Sequence, residues 1–139
     1  MTRRIFFSLV FFSKAAIAAP IDCPQTIAVQ QQIQNAPTGW EISHSQFASR
    51  LMLITIFDGP PKELASLVPE RSSRTKKEAQ DEWKFSPDSP RRIWVQCAYS
   101  ETNVVLERQL PAGIRSCTVK YDPELHVYGN DAILGSDCK

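Results

Sequence analysis

Histidine, the side chain most often used to transfer protons near neutral pH, occurs only twice in this 139-residue sequence. His44 lies in the segment EISHSQF and His126 in ELHVYGN. Either one could join a serine and an acid in a catalytic triad, but no G-x-S-x-G motif marks an activated serine. We therefore expect both imidazoles to be solvated, and a hydrolase is the least favoured hypothesis.

The acidic residues give no sharper catalytic signal. Asp58, Glu63 or Glu101 could pair as the carboxylates of glycoside hydrolases do, but a chain with 15 acidic residues offers many such pairs. The motifs of nucleotide-binding loops, zinc proteases and calcium-binding loops are also missing from the sequence. We predict a non-enzymatic protein with no catalytic residue, no cofactor and no metal site.

The remaining reactive side chains are the four cysteines Cys23, Cys97, Cys117 and Cys138. No C-x-x-C pair is present among them, so a zinc site has little support. In an exported domain an even number of cysteines predicts disulfides, here two, and each contributes about 2–4 kcal/mol. Four cysteines allow three pairings, and spacing alone does not choose among them.

The beginning of the chain has the pattern of a secretory signal peptide. Two arginines precede an apolar run at 5–12, and the Ala-Ile-Ala sequence at 16–18 is typical of a cleavage site. The run is shorter than the roughly 20 residues that cross a bilayer as a helix. We predict a signal peptide at 1–18 that is cleaved near Ala18, and a periplasmic protein without a membrane anchor.

Cleavage also changes the charge of the protein. The precursor has 16 basic residues, and removal of Arg3, Arg4 and Lys14 leaves 13 against 15 acidic residues, a formal charge of −2. Nucleic-acid binding needs a clustered excess of Lys and Arg, so no nucleic-acid partner is predicted. The mature length fits one domain at 19–139, which we expect to be β-rich and stabilised by disulfides.

The hydrophobic pattern predicts a mainly β protein. The nearly continuous apolar run at 51–57 is rich in β-branched residues and is typical of a central strand. Shorter alternating segments occur at 26–33, 40–42, 83–85, 93–99, 104–108 and 114–121. We expect an antiparallel sandwich or open barrel of about six or seven short strands with one short helix.

A corner follows the predicted central strand. The sequence Asp-Gly-Pro-Pro at 58–61 cannot continue a strand, and Leu64, Leu67 and Val68 then recur at the spacing of one helix face. We predict a short helix at 63–68 and interpret the stretch as a structural corner.

The last three predicted strands are separated by short turns and are expected to form an antiparallel meander. In an ideal meander Cys97 and Cys117 lie on strands that flank a middle one, roughly 9–10 Å apart, so they form a disulfide only if the sheet coils or bulges. Cys97–Cys117 and Cys23–Cys117 therefore remain competing pairings, with Cys138 bonded to the cysteine that is left.

Two surfaces are candidates for contact with a partner. The segment 70–82 is polar, and its charge changes from basic to acidic, which predicts either a solvated loop or the tip of a hairpin. Trp94 alternates out of phase with its apolar neighbours, so it faces away from the core and needs a second layer or a partner. The candidate contacts are Asp58, Arg71, Arg74, Lys76, Lys77 and Trp94.

Several short motifs occur together along the chain. They are CP at Cys23-Pro24, GW at Gly39-Trp40, FDGPP followed by LVP, WxxCxYxxT from Trp94 to Thr102, LP at Leu110-Pro111 and CxV from Cys117 to Val119. In this order, over about residues 23 to 121, the sequence resembles a family of small exported proteobacterial proteins without an assigned function.

That resemblance implies no active site. Some short periplasmic proteins of this kind are similar to immunity or inhibitor proteins that block cell-wall hydrolases. We therefore predict a protein-binding module of the inhibitor or immunity type, with a protein partner such as a cell-wall hydrolase. The alternative is a small-molecule-binding or envelope-maintenance domain, which would have an enclosed apolar pocket between its sheets.

Overall fold

The structure is a computed structural model that describes residues 19–139 except 22, 45, 46 and 87. The predicted signal peptide at 1–18 lies outside the described residues. Within them the strands are β1 (Ala19–Pro20), β2 (Thr26–Ala28), β3 (Ala48–Asp58), β4 (Arg71–Arg74), β5 (Ala79–Lys84), β6 (Ile93–Tyr99), β7 (Val105–Gln109), β8 (Ser116–Val127) and β9 (Asn130–Cys138). A 3-10 helix, Pro61–Glu63, follows β3.

The strands form two antiparallel sheets, which confirms the predicted fold class. The five-stranded sheet has the order β1-β9-β8-β5-β4, and the four-stranded sheet has the order β2-β3-β6-β7. Strand β3 contacts β8 and β9 across the two layers. The buried core cluster draws on both sheets and contains Ile21, Leu51, Ile54, Ile56, Trp83, Val95, Cys97, Tyr99, Leu110, Cys117, Val119, Ile133 and Cys138.

Strand β3 is the predicted central strand, extended at both ends. A bulge between Leu51 and Leu53 shifts its register against β6. Without the bulge, Leu51 and Ile54 would face opposite sides of the sheet, but both side chains are buried together with Ile56. Leu53 faces solvent instead, with about half of its surface exposed (49%).

The predicted helix at 63–68 is wrong. Only Pro61–Glu63 is helical, and the chain then runs back along β3, where the Leu67 N–H donates to the Ile56 carbonyl (2.8 Å). Leu64 and Val68 are more than four-fifths exposed, so the apolar spacing did not mark a buried face. The backbone groups of this segment form hydrogen bonds with β3, whereas a helix here would bury only one leucine.

Other local predictions need smaller corrections. The segment predicted at 26–33 is a strand only over Thr26–Ala28, and no strand forms at 40–42. The polar segment 70–82 is a hairpin, because β4 pairs with β5 around a turn in which the Thr75 N–H donates to the Glu78 carbonyl (2.8 Å).

The predicted meander is also wrong in its last step. Strands β6 and β7 pair, but β8 lies in the other sheet between β5 and β9. The chain crosses between sheets after the buried Leu110, through a turn in which Gly113 has a φ of +85°. Alternation in β8 specifies which side chains face inward, but it carries no information about the neighbouring strand.

The disulfides are Cys23–Cys97 and Cys117–Cys138, so both pairings considered from the sequence are wrong. Cys117 is directly opposite Cys138 in β8 and β9, with the two Cα atoms 4.1 Å apart. The next pair, Ser116 and Lys139, exchanges both backbone hydrogen bonds. The cysteines therefore occupy a non-hydrogen-bonded position, where side chains of antiparallel strands lie closest.

Among the described residues no helix has the length and apolar character needed to cross a membrane.

Candidate protein-binding surface

Asp58, one of the predicted contacts, is held by an internal ion pair at the corner after β3. The Arg91 Nε atom lies 3.3 Å from Asp58 Oδ2 and donates to the Asp58 carbonyl oxygen at 3.0 Å. The same guanidinium also bonds to the Glu63 carboxylate. Arg91 thus binds both Asp58 and Glu63, so both carboxylates at this corner already have a partner within the protein.

Arg74, a second predicted contact, belongs to a network around the buried Asp81. Both terminal nitrogens of Arg74 donate to the Asp81 carboxylate at 3.1 Å, and the hydroxyls of Ser72 (2.6 Å) and Tyr121 (2.9 Å) donate to it as well. Burial alone would raise the pKa of Asp81, but the hydrogen bonds from Arg74, Ser72 and Tyr121 outweigh it and the pKa is lowered. The guanidinium also lies over the Tyr121 ring, 4.8 Å from its centre.

His126 has the carboxylate partner that a hydrolase would need. Its Nδ1 atom lies 3.2 Å from Asp131 Oδ1. Among the described residues, however, no serine or threonine hydroxyl is hydrogen-bonded to His126, and all four cysteines are in disulfides. No cluster of three metal-ligating side chains is found there either. The pair therefore lacks a nucleophile in position.

The other predicted contacts are divided between the two sheets. Arg71 lies in β4, and Lys76 and Lys77 lie in the β4–β5 turn, all three exposed on the five-stranded sheet. Trp94 is half-buried in the four-stranded sheet, opposite Phe57 of β3. Arg71, Lys76, Lys77 and Trp94 stay predicted contacts.

A surface that the sequence analysis missed lies where several strands end. It is a cleft of about 490 Å³, which we call the Tyr128 cleft, lined by Thr26, Phe47, Ala48, Arg50, Ser100, Glu101, His126, Val127 and Tyr128. Phe47 and Tyr128 are 71% and 62% exposed, far more than aromatic side chains in a core. Exposed aromatic residues beside an arginine are typical of the energetic centre of a protein interface.

The backbone at the cleft is strained at two positions. Tyr128 and Gly129 form the two-residue turn between β8 and β9 with φ values of 50° and 84°, which suits a type I′ turn but is unfavourable for tyrosine. Glu101, in the β6–β7 turn, also has a positive φ of 58°. The nearby Glu101 carboxylate raises the pKa of Tyr128.

Of the two strained residues, Tyr128 lies at the end of the five-stranded sheet and Glu101 at the end of the four-stranded sheet, and both line the cleft. Such strain persists where the surrounding structure holds it and is concentrated at functional sites. The dipeptide Tyr128-Gly129 between two alternating segments was the available sequence signal for the turn, but the position of Phe47 beside it depends on the fold.

The small-molecule alternative finds little support in the clefts of the described residues. One cleft, of about 980 Å³, is lined by residues 28–33, 42–44, 47 and 48, most of which lie outside the strands. The Tyr128 cleft is lined by turns and strand ends. Neither is the enclosed apolar pocket between sheets that this alternative predicts.

The fold defines a class of protein, an antiparallel β protein of two packed sheets with two disulfides. Residues 31–139 match the family described as type VI secretion system Tli immunity protein, and the chain belongs to that family. An "Uncharacterized 16.3 kDa protein in trpG 5'region" of Azospirillum brasilense is 26% identical over 110 residues, which cover 75% of this chain and 73% of that protein. No solved structure matches the chain.

Family membership confirms the prediction of a module of the inhibitor or immunity type. It also implies a protein partner, a toxin. The two disulfides fit an exported protein. The relative from Azospirillum fits the small proteins without an assigned function that the motifs resembled.

Proposed function

We propose that this protein neutralises a toxin of the type VI secretion system by binding it in the periplasm, without catalysing a reaction. Membership of the immunity family over residues 31–139 carries this proposal. The signal-peptide pattern at 1–18 and the two disulfides support the periplasm as the compartment.

The Tyr128 cleft is the proposed centre of the interface. It offers two exposed aromatic rings, Phe47 directly before β3 and Tyr128 in the turn between β8 and β9, which can be buried when a partner binds. A stable complex buries about 800 Å² on each partner, which is more than one cleft provides. We propose Arg71, Lys76, Lys77 and Trp94 as outer contacts, while Asp58 and Arg74 act by shaping the surface through their internal ion pairs.

The toxin is proposed to be a cell-wall hydrolase, because peptidoglycan is a substrate that an enzyme meets in the periplasm. Its activity can be measured directly on purified peptidoglycan, with phospholipid vesicles as the second substrate. If the toxin cleaves the vesicles but not peptidoglycan, its substrate is the phospholipid. Its inhibition by this protein is then measured on the vesicles.

The test uses the cognate toxin, sought first among the genes beside the gene of this protein. Exported to the periplasm of a bacterial host, that toxin should stop growth, and co-expression of the full-length protein should restore it. Deletion of residues 2–18 should abolish protection but leave binding of the purified, oxidised protein intact. Growth arrest that persists with the full-length protein present, together with no binding in solution, would contradict the proposal.

Point variants locate the interface. Replacement Tyr128→Ala should weaken toxin binding by at least about tenfold, because a buried aromatic anchor typically contributes about 2 kcal/mol or more. Leu134→Ala removes another side chain that is 63% exposed, outside the cleft, and should leave the affinity unchanged. Equal affinities of both variants, measured by calorimetry, would exclude the cleft from the interface.

A further inference from the structure

Strand β7 forms one edge of the four-stranded sheet, and β6 is its one neighbour among the described strands. The Leu110 N–H donates to the Ile93 carbonyl (2.8 Å), so hydrogen-bonded pairs alternate from that point along the two strands. The backbone groups of Val105, Glu107 and Gln109 therefore point away from the sheet. Three N–H groups and three carbonyls face outward along this edge.

The edge is also exposed and apolar at one end. All five residues of β7 are exposed, and Val104, Val105 and Leu106 each leave about two-fifths of their surface in solvent. The other edge strands of the described residues, β1, β2 and β4, have only two, three and four residues. An edge with free hydrogen-bonding groups and apolar side chains is a template for another strand.

A small cleft lies beside this edge on the inner side of the sheet. Its volume is about 220 Å³, and it is lined by Ile21, Pro24, Val95, Cys97, Leu106, Glu107 and Arg108. The Cys23–Cys97 disulfide holds Pro24 next to β6, so the cleft exists before any partner arrives. A strand added to β7 would direct alternate side chains toward this cleft.

We propose that a segment of the toxin binds β7 in an extended conformation and becomes a fifth strand of this sheet. The segment forms backbone hydrogen bonds with Val105, Glu107 and Gln109 and places one apolar side chain in the cleft beside Leu106. This inference rests on the proposed function, since it describes how the same toxin is held.

The toxin fits this edge better than a second copy of the chain does. A β7–β7 junction would involve five residues from each copy and bury far less than the 800 Å² or so per partner of a stable dimer. The toxin can extend the contact, because Val104 follows Glu101 of the Tyr128 cleft by three positions, a span of at most about 11 Å. A basic side chain in the added strand would complement Glu107, whose carboxylate accepts a hydrogen bond from Gln96 Nε2 (2.7 Å).

The test compares Glu107→Pro with Glu107→Ala. Both variants lose the carboxylate and its bond to Gln96, but only proline also removes the outward N–H and places a ring on the open edge. The bonds to β6 come from the neighbouring residues and are kept. We expect Glu107→Pro to weaken toxin binding by at least about tenfold and Glu107→Ala by less than about threefold.

Hydrogen exchange of the wild-type complex gives a second readout that does not depend on how a variant folds. The amides of Val105, Glu107 and Gln109 should become protected when the toxin binds. Unchanged exchange of these amides, or equal affinity of both Glu107 variants, overturns the proposal while toxin binding itself stands. Protection that grows with protein concentration in the absence of toxin would assign the edge to self-association and also overturn it. If the wild-type protein binds no toxin, the proposed function fails, and this inference fails with it.

Discussion

At the corner after β3, the Arg91 side chain lies close to Gly59 and leaves little space for a side chain there. A Cβ there would lie 2.0 Å from the Arg91 Nη2 atom, and the residue has a φ of +99°. The guanidinium that bridges Asp58 and Glu63 occupies the space that any other residue would need. The Asp-Gly-Pro-Pro sequence is thus a structural corner, as the sequence indicated, but Arg91, which lies far away in the chain, completes it.

We predict that Gly59→Val lowers the free energy of unfolding by about 2 kcal/mol, because valine is strained at this φ, and displacement of the flexible Arg91 side chain adds a smaller loss. Thermal and urea unfolding measure the loss. Gly113→Val is the matched control, since Gly113 also has a positive φ, but no atom lies within 4 Å of the position that a Cβ would occupy there. Equal losses at the two positions would mean that the contact with Arg91 is unimportant.

The Tyr99 hydroxyl is buried and has no hydrogen-bond partner among the described residues, and burial raises the pKa of Tyr99. We predict that Tyr99→Phe raises the free energy of unfolding by about 1 kcal/mol or more, because the cost of burying an unpaired hydroxyl disappears. Tyr121→Phe is the control, since its hydroxyl donates to Asp81, and it should lower stability by about 1 kcal/mol. Destabilisation by Tyr99→Phe in urea titrations would contradict this assignment.

At the scale of elements, the Asp81 carboxylate connects three strands of the five-stranded sheet. It lies in β5 and accepts hydrogen bonds from Ser72 and Arg74 of β4 and from Tyr121 of β8. The polar appearance of the segment 70–82 hid this role, because a hairpin with a buried charge cluster and a solvated loop have the same composition. Only the position of Tyr121, 40 residues away, distinguishes them.

The lowered pKa of Asp81 predicts acid sensitivity. A carboxyl group with a folded-state pKa below its ordinary value of 3.8 stabilises the protein fully above about pH 4. This contribution is lost as the pH falls through the lower, folded-state pKa. The free energy of unfolding should therefore fall more steeply with acidification for the wild type than for Asp81→Asn. Asp88→Asn, at an exposed turn, should keep the wild-type slope. Identical slopes for all three proteins would contradict the prediction.

At the scale of the whole molecule, each disulfide is associated with one sheet. Cys117–Cys138 joins two adjacent strands of the five-stranded sheet, and Cys23–Cys97 ties the segment before β2 to β6 of the other. The two sheets are held to each other by the apolar core between them. The proposed binding surfaces, the Tyr128 cleft and the β7 edge, both include the end of the four-stranded sheet where β6 turns into β7.

Much of this protein can be predicted from the sequence alone, because the relevant signals are local. Apolar runs and alternation indicate strands, Asp-Gly-Pro-Pro indicates a corner, and four cysteines in an exported domain indicate disulfides. The motif order also led to the immunity type of function, which the family match confirms. Alternation, however, indicates only which side chains of a strand face inward. It does not indicate which other strand is its neighbour in the sheet.

Only the tertiary structure decided which distant segments meet. It placed β8 beside β5 and β9 instead of β7, paired Cys23 with Cys97, and brought Phe47 to Tyr128 across more than half of the chain. Each of these contacts depends on burying apolar surface from both sheets at once, a global condition that no local pattern encodes. The residues proposed to bind the toxin, at the Tyr128 cleft and along β7, belong to this second group.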